Sequence, residues 1–181
     1  MKIVLLESLG ISQEILDTYS KPLVQAGHVF EHYSRDTDPQ VQIERVHDAD
    51  IIMIANMPLS GQVIRACKNL KLIDVAFTGV DHVDLQAARE MGVKVSNAAG
   101  YSTQAVAEIA LCMMLSLLRN IPQVQERCRQ GQTKDGLVGC ELRGKTVGIV
   151  GAGAIGCRTA ELCHAFGCRV LGFKRHVTGS E

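Results

Sequence analysis

Short apolar runs alternate with longer amphipathic stretches through the first hundred residues, and the two spacings predict different elements. Lys2–Glu7, His28–Tyr33, Ile51–Ile54, Leu72–Ala76 and Lys94–Ser96 are brief and rich in Ile, Val and Leu, which predicts strands. Between them Gln13–Ala26, Val41–Val46, Ser60–Ala66 and Val83–Met91 carry apolar residues at helical spacing, with a turn at Asp36–Pro39. A strand followed by a helix, repeated, predicts an α/β fold built on a parallel sheet with helices on both faces.

The pattern changes after Ala98–Gly100, which divides the chain into a first module, 1–99, and a second, 100–181. Tyr101–Ile121 predicts one long helix, capped by Ser102 or Thr103 and ending near Pro122. Its apolar residues surround most of the axis, so the helix is expected to be packed on several sides. Cys128–Arg143 has no periodicity and reads as a loop. The strand Thr146–Val150 then runs into Gly151-Ala152-Gly153-Ala154-Ile155-Gly156, an amphipathic helix, and a second strand, Val170–Phe173. Three glycines at this spacing suit a dinucleotide: Gly151 for a tight turn, Gly153 for close approach of the pyrophosphate, Gly156 for helix-on-strand packing. The helix opened at Ala154 and Ile155 directs its free N–H groups and its positive dipole end at the phosphates. A bare structural turn is the alternative, and the strand before and helix after favour the nucleotide.

Composition removes several function classes. Nineteen basic and nineteen acidic residues cancel, which argues against nucleic acid or an anionic membrane as partner. The longest apolar stretch, Ala105–Leu118, contains Glu108 and falls short of the roughly 20 residues that a bilayer crossing needs. It reads as a buried helix. The start, Met1–Glu7, reads as a first strand rather than a signal peptide, so the expected location is cytoplasmic. Seven cysteines with no Cys-x-x-Cys pair fit reduced thiols, and no ligand-like spacing of Cys or His suggests a metal.

Four blocks, in order, resemble the D-isomer-specific 2-hydroxyacid dehydrogenases. They are Phe77-Thr78-Gly79-Val80-Asp81-His82-Val83-Asp84; Gly92-Val93-Lys94-Val95-Ser96-Asn97; Val106-Ala107-Glu108 on the long helix; and Glu141–Val150 running into the glycine turn. The resemblance implies a flavodoxin-like substrate domain over 1–99 and the beginning of a Rossmann NAD(P)-binding domain over 100–181. It also implies a homodimer in which the long helix contributes to the interface, and a small 2-hydroxy or 2-oxo acid bound between the two modules. Thr78, Gly79 and Val80 are then expected to offer main-chain N–H groups to the acid's carboxylate, although the same residues also suit a plain strand-to-helix turn. Asn56 and Met57, at the end of another strand, are expected to line the same cleft, with a plain loop as the alternative. Val106 joins Gly151, Gly153, Ala154, Ile155 and Gly156 as an expected cofactor contact.

The chain also departs from that family. Hydride transfer to a 2-oxo acid needs a cation and a proton donor set by a carboxylate, which the family supplies as an Arg and a Glu–His pair. No residue here matches them, so they are expected beyond Glu181, and an open sheet edge and uncovered apolar faces on the long helix are expected if the dinucleotide fold stops there. His82 is expected to be a surface or capping residue rather than the acid–base group. The second strand ends in Lys174-Arg175-His176 where NAD-dependent relatives place a carboxylate for the ribose 2′-OH. Lys174 and Arg175 suit the 2′-phosphate of NADP, which makes NADP the favoured cofactor over NAD, unless they are a solvated strand end. Gln132-Thr133 stands where many relatives have a tryptophan, which puts the dimer contact of that loop in question. A non-catalytic nucleotide-sensing module, or an inactive fragment of the same fold, is the alternative function.

Overall fold

The computed structural model describes residues 1–176. The chain forms two compact units, Met1–Ala99 and Gly100–Glu181.

The first unit runs β1 (Lys2–Leu5), α1 (Gln13–Gln25), β2 (Val29–His32), α2 (Pro39–Val46), β3 (Ile51–Ile54), α3 (Gly61–Ala66), β4 (Leu72–Val75), α4 (Leu85–Glu90) and β5 (Lys94–Asn97). All strand pairs are parallel, in the order β2-β1-β3-β4-β5. This is the flavodoxin-like doubly wound order, and it gathers the loops after the strands along one edge of the sheet.

Side chains alternate across a strand, so each face has its own register. Val4, Ile52, Ile54, Ile73 and Val75 point to one face and bury against Val46, Val63, Ile64 and Ala87 of α2, α3 and α4. Each such large side chain contributes roughly 1.5–3 kcal/mol by leaving water. Leu5 and Met53, of opposite parity, line an apolar cleft with Leu16, Tyr19 and Leu23, which places α1 on the other face. None of the residues of α1 is buried. The helices start where side chains can accept their free N–H groups: Ser12 takes Ile15 N, Asp38 takes Gln40 N and Asp84 takes Ala87 N.

The second unit contains α5 (Thr103–Leu118), α6 (Ile121–Arg129), β6 (Thr146–Val150), α7 (Ala154–Ala165) and β7 (Arg169–Phe173). The helix expected over 101–121 is α5, which stops at Leu118, and a second helix, α6, follows it with a bend of 64° between them. The break is at Asn120, whose φ of 54° lies in the left-handed region that Asn tolerates. Its side-chain amide donates to Val138 O at 3.2 Å. Pro122 therefore sits in the first turn of α6, where its missing N–H costs nothing, and the loop expected from Cys128 begins only after Arg129.

α5 is buried along one side and carries uncovered apolar residues on another. Only Ala107 and Leu111 are buried, while Val106, Ile109, Met113 and Leu117 form an exposed stripe at helical spacing. Leu111 packs with Leu142, Cys163 and Cys168, and Val147 and Val170 of the paired strands close this small core. The opposite face of the two-stranded sheet is open, with Val150 at 87% exposure and Phe173 at 63%. All seven cysteines are free thiols; Cys67, Cys163 and Cys168 are buried and the other four exposed. Among the described residues no single helix is long and apolar enough to cross a membrane, and no group of side chains could hold a metal ion.

Candidate functional site

Two sites were expected, one in each unit. In the first, the parallel ladder continues past the strands through Leu6 N to Met53 O, Ala76 N to Ile54 O and Ala98 N to Val75 O. These bonds hold the segments after β1, β3, β4 and β5 side by side. Thr78, Gly79 and Val80 are half-buried at this edge. Asn97 Nδ2 donates to Thr78 O at 2.6 Å, and Val83 N to Val80 O at 3.0 Å closes the turn. The amides of Gly79 and Val80 have no main-chain acceptor among the described residues. A Cβ on Gly79 would meet only Asp81 Oδ2, at 3.5 Å, so the turn is open to a neighbour.

Asn56, one strand over, is exposed, but Met57 is fully buried in the core. The Met57 side chain packs into the core with Leu59 and Val83, which are bridged as parallel neighbours, so at this position the side chain that faces outward is that of Asn56. The segment around His82 is also less superficial than expected. His82 O accepts from Leu59 N at 2.8 Å, and its Nε2 is buried without a partner among the described residues.

One residue at this edge escaped the sequence reading. Glu7, only 3% exposed, accepts from Ala55 N at 2.8 Å and Met57 N at 2.7 Å through Oε1. Its Oε2 accepts from Arg35 Nη1 at 2.8 Å, and the same Nη1 donates to Asn56 Oδ1 at 2.6 Å. A buried carboxylate is tolerated only when so satisfied, and removing one partner typically costs about 3–5 kcal/mol. The signal was present: an acidic residue follows the uninterrupted apolar run Ile3–Leu6.

In the second unit, β6 ends at Val150 and the chain reverses at Gly151, whose φ of 106° suits glycine. Gly151 N and Ala152 N both donate to Phe173 O, at 2.9 and 3.3 Å, which sets the turn directly against the end of β7. Lys174 and Arg175 follow Phe173, so the turn and the two bases are brought together. Among the described residues, Gly153 stands at the N-cap of α7 with no side-chain cap, and a Cβ there would meet nothing within 4 Å. Cys157 N bonds Gly153 O, leaving the amides of Ala154, Ile155 and Gly156 without a main-chain acceptor among the described residues. A Cβ on Gly156 would collide with the Gly151 carbonyl. Open amides at a helix N-terminus beside open space fit a pyrophosphate. Val106 is part-exposed on α5, whose first turn is tied to α7 by Arg158 Nε donating to Gln104 Oε1 at 2.5 Å.

The model of the D-isomer specific 2-hydroxyacid dehydrogenase catalytic domain matches residues 3–173. The chain belongs to this family. It is 38% identical over 129 residues to the D-3-phosphoglycerate dehydrogenase of Archaeoglobus fulgidus, covering 71% of this chain and 24% of that protein. The NAD-dependent formate dehydrogenase of Staphylococcus aureus, solved with NAD, superposes with a TM-score of 0.86 at 29% identity, covering 97% of this chain and 56% of that one. An acyclic imino acid reductase solved with NADPH and D-Arg gives a TM-score of 0.84 at 28% identity, covering 99% and 59%. The chain spans from about a quarter to a little over half of the length of the curated relatives it matches. As a D-2-hydroxyacid dehydrogenase family member, it has structural neighbours with either nicotinamide dinucleotide bound.

Proposed function

We propose that this protein is an oxidoreductase that interconverts a small D-2-hydroxy acid and its 2-oxo acid, with NADP favoured over NAD. The observation that carries the reading is the row of amides at the start of α7 with no main-chain acceptor among the described residues, beside the end of β7 from which Lys174 and Arg175 follow, in a chain of this family. Ala154, Ile155 and Gly156 hold the pyrophosphate through main-chain N–H groups, Gly151 shapes the turn, and Gly153 leaves room for the phosphates. Lys174 and Arg175 pair with a ribose 2′-phosphate, and Val106 contacts the bound cofactor from α5. The dinucleotide supplies the nicotinamide that gives or accepts the hydride.

In the first unit, the Gly79 and Val80 amides, with Thr78, receive the acid's carboxylate, and Asn56 donates to the same ligand. None of these residues is given a proton-transfer role. The unit 1–99 thus serves as the substrate domain and 100–181 as part of the cofactor domain. The exposed stripe Val106, Ile109, Met113 and Leu117 supports a homodimer, because apolar stripes of this kind mark association surfaces.

The test is calorimetric titration with NADPH and NADH, followed by dinucleotide oxidation with glyoxylate or hydroxypyruvate. Tighter binding of NADPH, with oxidation on adding acid, is the expected result. Tighter NADH would overturn the NADP preference, and binding of neither would overturn the dinucleotide site. Tight nucleotide binding with no turnover on any 2-oxo acid would favour a sensing module.

A further inference from the structure

We propose that Arg35, anchored on buried Glu7, is a specificity-determining residue of the acid site. It orients the Asn56 carboxamide towards the ligand and selects 2-hydroxy acids that carry a second anionic group. The inference rests on the reading of Thr78–Val80 as the seat of the acid's carboxylate.

The geometry begins with Glu7. Its carboxylate fixes the main chain on both sides of Asn56 by accepting from Ala55 N and Met57 N. Asn56 is therefore the exposed residue of a clamped loop. A guanidinium only donates, so the Asn56 atom 2.6 Å from Arg35 Nη1 is the carboxamide oxygen. The Nδ2 group, with its two donors, is turned away from Arg35 and has no other partner among the described residues. Without that bond the amide could present oxygen instead, which repels a carboxylate. Arg35 and Glu7 thus convert an ambivalent amide into a donor.

Arg35 has more to give. Its two hydrogen bonds among the described residues both leave from Nη1, and its side chain is 46% exposed. Glu7 is already satisfied by two amides, so Nη2 and Nε remain as an outward fork, the shape that pairs with phosphate or carboxylate. β3 and β4 are neighbours, and adjacent strands lie about 4.8 Å apart. A guanidinium bonded to Asn56 therefore stands roughly 5–10 Å from the Thr78–Val80 turn, one to two strand spacings. A three-carbon acid with a terminal phosphate or carboxylate spans that interval. A compact acid such as glycolate does not.

The test is a set of ¹H–¹⁵N titrations of the protein with D-glycerate and with D-3-phosphoglycerate. Both acids are expected to move the Gly79 and Val80 amides and the Asn56 side-chain N–H₂ pair. The phosphorylated acid is expected to bind about tenfold more tightly or better, as a bidentate arginine contact allows. Because Arg35→Met alone strands a buried carboxylate, the decisive variant is Glu7→Gln/Arg35→Met, with Arg35→Lys beside it. The double variant is expected to reduce the preference to about twofold or less, and the lysine variant to keep only part of it, since lysine lacks the fork. Equal binding of the two acids to the wild type would overturn the proposal and leave the acid site standing, as would an undiminished preference in a natively dispersed double variant. If neither acid moves Gly79 and Val80, the acid site itself falls and the role of Arg35 falls with it.

Discussion

Replacing each glycine of the turn by alanine should separate its three roles. At Gly156 the added methyl meets the main-chain carbonyl of Gly151 and lies 3.1 Å from Ile149 Cγ2, so strand and helix must part. Overpacking of this kind costs about 1–3 kcal/mol. For a unit of this size each kcal/mol lowers Tm by about 4–8 °C, so a drop of roughly 5–20 °C is expected. At Gly153 the methyl enters open space and φ is −95°, so folding should change by about 1 kcal/mol at most. In the proposed dinucleotide site the pyrophosphate approaches through that space, and Gly153→Ala should weaken NADPH by about tenfold or more. Gly151→Ala places a side chain at a φ of 106° and should cost about 1–2 kcal/mol through backbone strain. Thermal unfolding by circular dichroism gives the first quantity and calorimetric titration the second. A Gly156→Ala variant that melts with the wild type, or a Gly153→Ala variant that binds NADPH normally, would refute the division of labour.

Burial raises the pKa of Asp74 on β4. A carboxyl whose folded pKa is raised favours folding only in acid, and that contribution is lost as pH rises through the folded value. Asp74→Asn should therefore raise Tm at pH 7 and have little effect below the ordinary carboxylate value of about 4; equal effects at both pH values would refute this. The Cys67 thiol is pushed up to about 11 by burial, whereas Cys112, Cys128, Cys140 and Cys157 are exposed. Iodoacetamide at pH 8 followed by peptide mass spectrometry should label those four and spare Cys67, and labelling of Cys67 as fast as Cys140 would count against it. With the homodimer proposed above, Ile109→Glu/Leu117→Glu on the exposed stripe of α5 should shift sedimentation from dimer to monomer without lowering Tm. An unchanged sedimentation coefficient would remove the stripe from the interface.

Where local chemistry dominates, the elements were legible in the sequence. Ile51–Ile54 and Thr146–Val150 are strands with the expected bounds, because a short β-branched run admits few other solutions. The glycine turn was legible for a similar reason: its backbone conformation and the close approach of Gly156 to Gly151 are demands on single residues. The break at Asn120 was not, since the apolar pattern runs on through Leu117, Leu118 and Ile121 while one left-handed residue redirects the axis. Hydrophobic period reports which faces are apolar, and it is silent on whether anything covers them. Which apolar positions of α5 are covered, Ala107 and Leu111 rather than Val106, Ile109, Met113 and Leu117, was therefore decided by packing.

The sheet edge that holds Thr78–Val80 and Asn56 divides the same way. Thr78–Val80 was found from its motif, and Asn56 and Met57 from their place after a strand. Only packing decided that Met57 turns into the core while Asn56 faces outward. Glu7, Arg35 and Asn56 stand 28 and 21 residues apart along the chain and meet because β2, β1 and β3 are neighbours in the sheet. Sequence by itself determined the alternation of strands and helices, the family and the glycine turn, all of which are written in runs of a few residues. The tertiary structure decided which side chains share the sheet's edge, because strand order and burial are set by free energy summed over the whole fold.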